Sequence, residues 1–360
     1  MINDNQINSF GLFAMIISLT SSSFYGIYSA YIIYLSKTMS LISMLIGLLF
    51  GLVFSNMFLK LFRSKSNLSM TNKIKLLFPK LSIFINIILI ICTLLTYIFL
   101  TYRLTSFLSN EYLINMPTYL ISLLIIIVTT YIASKGLDTT IKVTTITFYI
   151  SILVFLFDSL SLLPQVKIDN FLPIYNVNKT NVIISSLYFT LYFFVPIVNI
   201  GFIKYNYIVD NNKFTKYYYL SIILSFIMSF ILLFNTIGVS GIKVCSLFDY
   251  PIYTTLKRIR LFNFLDSLEN ISISLWIFYV TNSSSLIILS LFNQIKDTFN
   301  LTNKKTIIIN SILIVISFIL PNIIFNNSNY IETFNYIYIP LIVLLIYFIT
   351  IVTLFYKNKR

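Results

Sequence analysis

Two stretches carry residues able to do recognition chemistry at bilayer depth. In the first, Thr20-Ser21-Ser22-Ser23 followed by Gly26 sits in the middle of the apolar run 8–35; in the second, Phe194, Pro196 and Asn199 fall inside Leu191-Tyr192-Phe193-Phe194-Val195-Pro196-Ile197-Val198-Asn199-Ile200-Gly201. Polar and flexible residues survive at that depth when protein or a water-filled cavity satisfies the backbone, and discontinuous helices of this kind build solute sites. Proline deepens the second interruption, because it removes a backbone donor and clashes with the preceding turn. An unwound first helix would offer N–H groups to a carboxylate and carbonyls to an ammonium, which suits Ser21, Ser22, Ser23 and Gly26 to an amino acid. The sixth-run residues Phe194, Pro196 and Asn199 would then shape the pocket. A kinked helix and a small-residue packing face are the plainer readings of either stretch taken alone.

Three further places hold candidate coupling or gating groups. Lys142 lies near the inner end of the fifth apolar run, where it is an ion substitute or a lysine snorkelling to the cytoplasmic interface. Glu269 opens the eighth run with Ser272 and Trp276 on its helical face, as a gate or as a carboxylate favoured by the helix N-terminus. Ser283-Ser284-Ser285, deeper in that run, suits ion contacts or helix packing. Asp158 belongs with Glu269, being near the outer end of the fifth run.

Other chemistry is excluded by what is missing. The chain has no histidine, so His-based metal sites, Ser-His triads and imidazole proton shuttles are absent together. No Gly-rich phosphate loop and no convergent carboxylate pair is visible, so neither an enzyme nor a bound cofactor is expected. The two cysteines, Cys92 in an apolar run and Cys245 in a loop, are not placed for a mutual disulfide.

The elements that position these residues are membrane spans. With 58% hydrophobic and 10% charged residues over 360 positions, the chain is an integral membrane protein. Runs long enough to cross fall near 8–35, 39–62, 81–102, 116–134, 143–163, 182–203, 217–237, 270–292, 306–325 and 335–355. The net charge of +14 is spread between the runs and forms no nucleic-acid stripe. With the N-terminus in the cytoplasm, 17 of the 25 basic residues fall in cytoplasmic segments, which favours both termini being there. The basic loop from Arg63 to Lys80 suits anionic lipid headgroups. A single polytopic domain results, with repeat one at about 8–163, a linker at 164–181 and repeat two at about 182–355. Five helices per half make the halves run in opposite senses, so the first and sixth interruptions occupy matched positions.

Several short motifs, in order along nearly the whole chain, resemble the spore germination permease family, the B-type subunits of nutrient germinant receptors in the amino acid–polyamine–organocation superfamily. They are Gln6 with its following apolar run; Met116-Pro117-Thr118; Tyr131-Ile132-Ala133-Ser134-Lys135-Gly136-Leu137-Asp138-Thr139-Thr140-Ile141-Lys142; and Ile168-Asp169-Asn170-Phe171-Leu172-Pro173-Ile174. The most distinctive is Phe248-Asp249-Tyr250-Pro251, then Leu256-Lys257-Arg258-Ile259-Arg260, then Phe264-Leu265-Asp266-Ser267-Leu268-Glu269 and Trp276. Where the family's pattern carries an Arg, this chain has Ser267, leaving Arg258 or Arg260 for any pairing with Glu269. The resemblance implies an all-α fold of ten transmembrane helices, a 5+5 inverted repeat of LeuT type with helices 1 and 6 discontinuous. It also implies binding of a small nutrient such as an amino acid, partnership with an A-type membrane subunit and a C-type lipoprotein subunit, and a spore inner membrane. In relatives an ion is held where Lys142 would lie. Fold alone would favour a proton-coupled amino acid permease.

Overall fold

The computed structural model describes residues 6–172, 178–259 and 269–324, and these are helical almost throughout. The first apolar run becomes α1 (Ser9–Ser23), a π-helical turn (Phe24–Tyr28) and α2 (Ser29–Ser36). A short turn with Lys37 at φ 44° reverses the chain into α3 (Ser40–Arg63). There follow α4 (Met70–Leu77), α5 (Ser82–Glu111), α6 (Thr118–Ser134) and α7 (Leu137–Leu162). The sixth run gives α8 (Lys179–Phe194) and a 3-10 segment (Val195–Phe202), followed by α9 (Asn211–Ser240). Short helices α10 (Ile242–Cys245) and α11 (Pro251–Leu256) precede α12 (Glu269–Phe299) and α13 (Asn303–Ile324). Among the described residues, eight helical segments are long and apolar enough to cross a membrane, and α6 is a shorter apolar helix. The chain is thus an all-α, multi-pass membrane protein over these residues. The run 335–355 lies outside them.

Local chemistry sets the helix ends. The Asn8 side chain accepts from the Phe10 N–H at 3.1 Å, and Asn178 does the same for Thr180, each satisfying one of the orphan donors of a first turn. Gly241, at φ 74°, closes α9 in a conformation that costs a residue with a Cβ.

α1 is buried on every side, the mark of a helix at the centre of a bundle. It packs on α9, α12 and α7, with α8 also in contact. At the periphery, Leu123, Leu124, Ile127 and Val128 of α6 and Ile146, Tyr149, Ile150 and Leu153 of α7 are exposed. Water would penalise such a surface, whereas lipid does not. Between helices in lipid, burial of apolar area gives little driving force, and close packing with interhelical hydrogen bonds takes over. The α3–α8 contact follows this rule. Gly47 and Gly51, one turn apart, admit the rings of Phe189 and Phe194; a Cβ on Gly51 would lie 1.8 Å from Phe194 Cε2. Thr190 Oγ1 then donates to the Gly47 carbonyl at 2.9 Å.

α4 lies against the end of α12. Ser69 Oγ donates to Asp297 Oδ2 at 2.6 Å, Asn72 donates to the same oxygen, and Lys75 donates to the Asp297 carbonyl. Lys73 is buried beneath α4, its Nζ donating to the carbonyls of Leu61 at 3.1 Å and Phe62 at 2.8 Å, which end α3. Two of the five basic residues in the loop expected at lipid headgroups are therefore committed to protein, satisfying helix-end carbonyls. Arg63, Lys65 and Lys80 are exposed.

Candidate functional site

The first interruption does not unwind. Its hydroxyls turn back on their own helix: Thr20 Oγ1 donates to Ile16 and Ile17 carbonyls at 3.0 Å each, and Ser22 Oγ to the Leu19 carbonyl at 3.0 Å. Such back-bonding loosens the ladder without breaking it. The ladder then widens into the π-turn Phe24–Tyr28 before α-helix resumes. A π-turn leaves a carbonyl free for an outside partner, and here Trp276 Nε1 donates to the Ser22 carbonyl at 2.9 Å. The indole packs against Gly26, where a Cβ would come 1.8 Å from Trp276 Cζ2. Gly26 is thus required by a side chain of α12. The expected run of open N–H groups is absent, because i→i+5 bonds replace i→i+4 bonds and the turn continues.

The sixth run does leave the α-helix at bilayer depth. α8 stops at Phe194, Pro196 sits at the start of the 3-10 segment, and the chain is extended at Ile203. Asn199 Nδ2 donates to the Pro196 carbonyl at 3.0 Å, and the Asn199 carbonyl accepts from Ser290 Oγ of α12 at 3.0 Å. Each break is therefore held by a donor from α12.

Two cavities adjoin the breaks. One of about 20 Å³, called inner for its place toward α4, lies between α5 and the 3-10 segment, lined by Leu89, Cys92, Thr93 and Thr96 opposite Val195, Val198, Asn199 and Phe202. The other, also of about 20 Å³ and called outer as lying away from α4, lies between the π-turn, α5, α11 and α12, with Tyr25, Gly26, Phe107, Tyr253, Ser272 and Trp276 among its walls. Of the sixth-run candidates only Asn199 reaches a cavity. Phe194 is spent on Gly51 in the α3–α8 contact, and Pro196 is buried without lining either space.

The remaining candidates divide. Ser21, Ser283 and Ser284 are fully buried with hydroxyls that find no partner among the described residues, which is costly unless something else binds there. Lys142 does not enter the bundle: its side chain is 72% exposed and its Nζ pairs with Asp138 Oδ2 at 2.6 Å. The i,i+4 spacing at the start of α7 makes that pairing, and an exposed lysine at a helix end is where a snorkelling residue belongs. Glu269 is the first residue of α12, and Arg258 of the same motif donates to the Val239 carbonyl at 3.2 Å.

A polar core at the crossing of α1, α7 and α12 was not assembled by sequence reading. Asp158 of α7 is 1% exposed and accepts from Ser272 Oγ, while its Oδ2 has no partner among the described residues. The Tyr25 hydroxyl is likewise buried and unpartnered among the described residues, the buried hydroxyls of Tyr279 and Ser151 lie against each other, and the Tyr25 and Tyr279 rings are 5.5 Å apart. Seven-residue spacing, two helical turns, puts Ser151 with Asp158 and Ser272 with Tyr279 on single faces, which is the signal that was available.

Compared with known proteins, the chain matches a family model described as spore germination protein over residues 6–329. No curated protein matches it closely enough to count as a relative. Interrupted first and sixth spans, buried unpartnered hydroxyls and a match over most of the length agree, and the chain belongs to the spore germination protein family, whose members are permease-type membrane proteins.

Proposed function

We propose that this protein is the B-type membrane subunit of a spore nutrient germinant receptor, which binds a small nutrient such as an amino acid and passes a conformational change to an A-type membrane subunit and a C-type lipoprotein subunit. Its setting is the spore inner membrane, with both termini cytoplasmic. The ligand lies beside the two interrupted spans, near Ser21, Gly26 and Asn199, with Ser283 and Ser284 as coupling groups behind it.

The observation that carries this reading is the exchange of contacts between halves. α1 packs on α9 as α8 packs on α3, and α5 packs on α12. Mapping spans one to five onto six to ten turns the first pair into the second and the third into itself, as a ten-helix inverted repeat requires. In that arrangement two interrupted spans face a common centre, and the site is made by the fold itself. Neither interruption carries catalytic groups, so binding is the chemistry they support.

The test is purified protein in liposomes, assayed for binding and uptake of a labelled amino-acid panel with and without a proton gradient. Saturable binding without accumulation is expected of a receptor subunit. Gradient-driven accumulation would replace this reading with a proton-coupled amino acid permease.

A further inference from the structure

We propose that the outer cavity is the seat of the ligand's ammonium group, with Asp158 as its counter-ion; this rests on the amino-acid reading above and names which end of the ligand is bound where. The cavity has two properties that a cation needs and a neutral or anionic group does not. Its walls are aromatic, comprising Tyr25, Phe107, Tyr250, Tyr253 and Trp276. Ring faces attract ammonium groups, most strongly where water is excluded. Two of these rings already meet protein cations: Arg103 Cζ lies 5.8 Å from the Tyr250 centroid and Lys257 Nζ 4.2 Å from that of Tyr253. Lys257 is balanced by Glu111 at 3.0 Å. Tyr25, Phe107 and Trp276 carry no such cation among the described residues.

The second property is a carboxyl group directly behind the wall. Ser272 both lines the cavity and donates to Asp158 Oδ1. The other carboxyl oxygen, Oδ2, is buried with no partner among the described residues. An acid at membrane depth is expensive unless it is paired, and such residues mark ligand or ion paths. Near it stands the buried Tyr25 hydroxyl, also without a partner among the described residues and an acceptor for an N–H. A primary ammonium has three N–H donors and one positive charge. It satisfies the Asp158 carboxylate and the Tyr25 hydroxyl together, which an uncharged ligand cannot.

The cavity also touches the helix interruption. Tyr25 and Gly26 belong to the π-turn, and Trp276 bridges the cavity wall to the Ser22 carbonyl. An ammonium drawn toward Ser272 would therefore bear on the indole that holds the turn, giving binding a route to conformational change.

The experiment uses the full-length chain in nanodiscs and measures equilibrium binding of alanine, leucine and phenylalanine. Each is paired with its des-carboxy amine (ethylamine, isoamylamine, phenethylamine) and its des-amino acid (propionate, isocaproate, hydrocinnamate). In the unaltered protein, the amine of whichever amino acid binds should retain measurable affinity, while the des-amino acid loses it by about tenfold or more. Asp158→Asn, which keeps the acceptor for Ser272 and removes the charge, should weaken amino acid and amine alike by a similar factor. Equal binding of amino acid and des-amino acid by the unaltered chain overturns the proposal whether or not the variant folds. Unchanged affinity in a folded Asp158→Asn protein overturns it as well, leaving the amino-acid reading intact. Failure of all three amino acids to bind the unaltered chain would remove that reading and this inference with it.

Discussion

At the scale of single residues, the chain uses few side chains to hold its interruptions open, and those few are testable. Gly26 has no room for a side chain, since the Trp276 indole occupies the place of its Cβ. Gly26→Ala must push the indole away and strain its bond to the Ser22 carbonyl. Overpacking of this kind costs roughly 1–3 kcal/mol. A fall in melting temperature and a loss of about tenfold in ligand affinity is the expected outcome, read by thermal unfolding in detergent and by binding. Intact affinity in Gly26→Ala would separate the π-turn from the ligand. Lys73 offers a second case. Burial lowers its ammonium from the ordinary lysine value to about 8. Between that value and the ordinary one, the unfolded chain holds a proton that the folded chain has released. Folding stability from this group is therefore lowest below pH about 8 and rises with pH above it. Lys73→Met should abolish that rise while leaving the Leu61 and Phe62 carbonyls uncapped, a loss of about 1 kcal/mol. Denaturant titrations across pH 7.5 to 10, in about half-unit steps, would register both effects, and a rise that survives in Lys73→Met would assign it elsewhere.

Elements show how much was legible beforehand and where legibility stopped. Spans are written in composition, because the bilayer demands about 20 apolar residues from each helix, and nine of the expected runs coincide with helices among the described residues. Proline is equally legible: Pro196 ends α8 by removing a donor. The serine run was a weaker sign. Ser and Thr can bond to the carbonyl a turn back, so Thr20 and Ser22 close on α1 and the helix only widens. Whether a polar run unwinds a helix depends on what packs beside it, and the indole from α12 is remote in sequence. Phe194 went to helix packing for the same reason, its partner Gly51 being far away along the chain. That contact carries its own expectation. Gly51→Val would separate α3 from α8, strain Thr190 from the Gly47 carbonyl, and destabilise the protein by about 1–3 kcal/mol. Thermal unfolding should detect the shift, and a neutral result would mean that α8 is not seated by this glycine pair.

On the scale of the whole molecule, the proposed inverted repeat fixes which loops lie on which side, and the native cysteines make this simple to check. Cys92 and Cys245 are both free and buried. Burial also pushes the Cys245 thiol up to about 11, so little thiolate exists at neutral pH. The unaltered chain should thus react negligibly with a maleimide and serve as its own silent background. Lys80 and Asp249 are exposed at opposite ends of the proposed arrangement, Lys80 before α5 and Asp249 before α11. With an N-terminus in the cytoplasm, Asp249→Cys should label in intact cells with a membrane-impermeant maleimide, and Lys80→Cys only after the membrane is opened. The reverse pattern would invert the chain and place the aromatic cavity, its Asp158 and the α11 cover on the cytoplasmic side. A ligand arriving from outside would then meet the α4 and Asp297 contacts first, and the cavity lined by Asn199 before the aromatic one. Labelling of both variants in intact cells would show that the two loops share a face, which no odd number of spans between them allows. Orientation thus decides which of the two cavities a ligand from outside can enter, and so which group, Asp158 or Asn199, it reaches first.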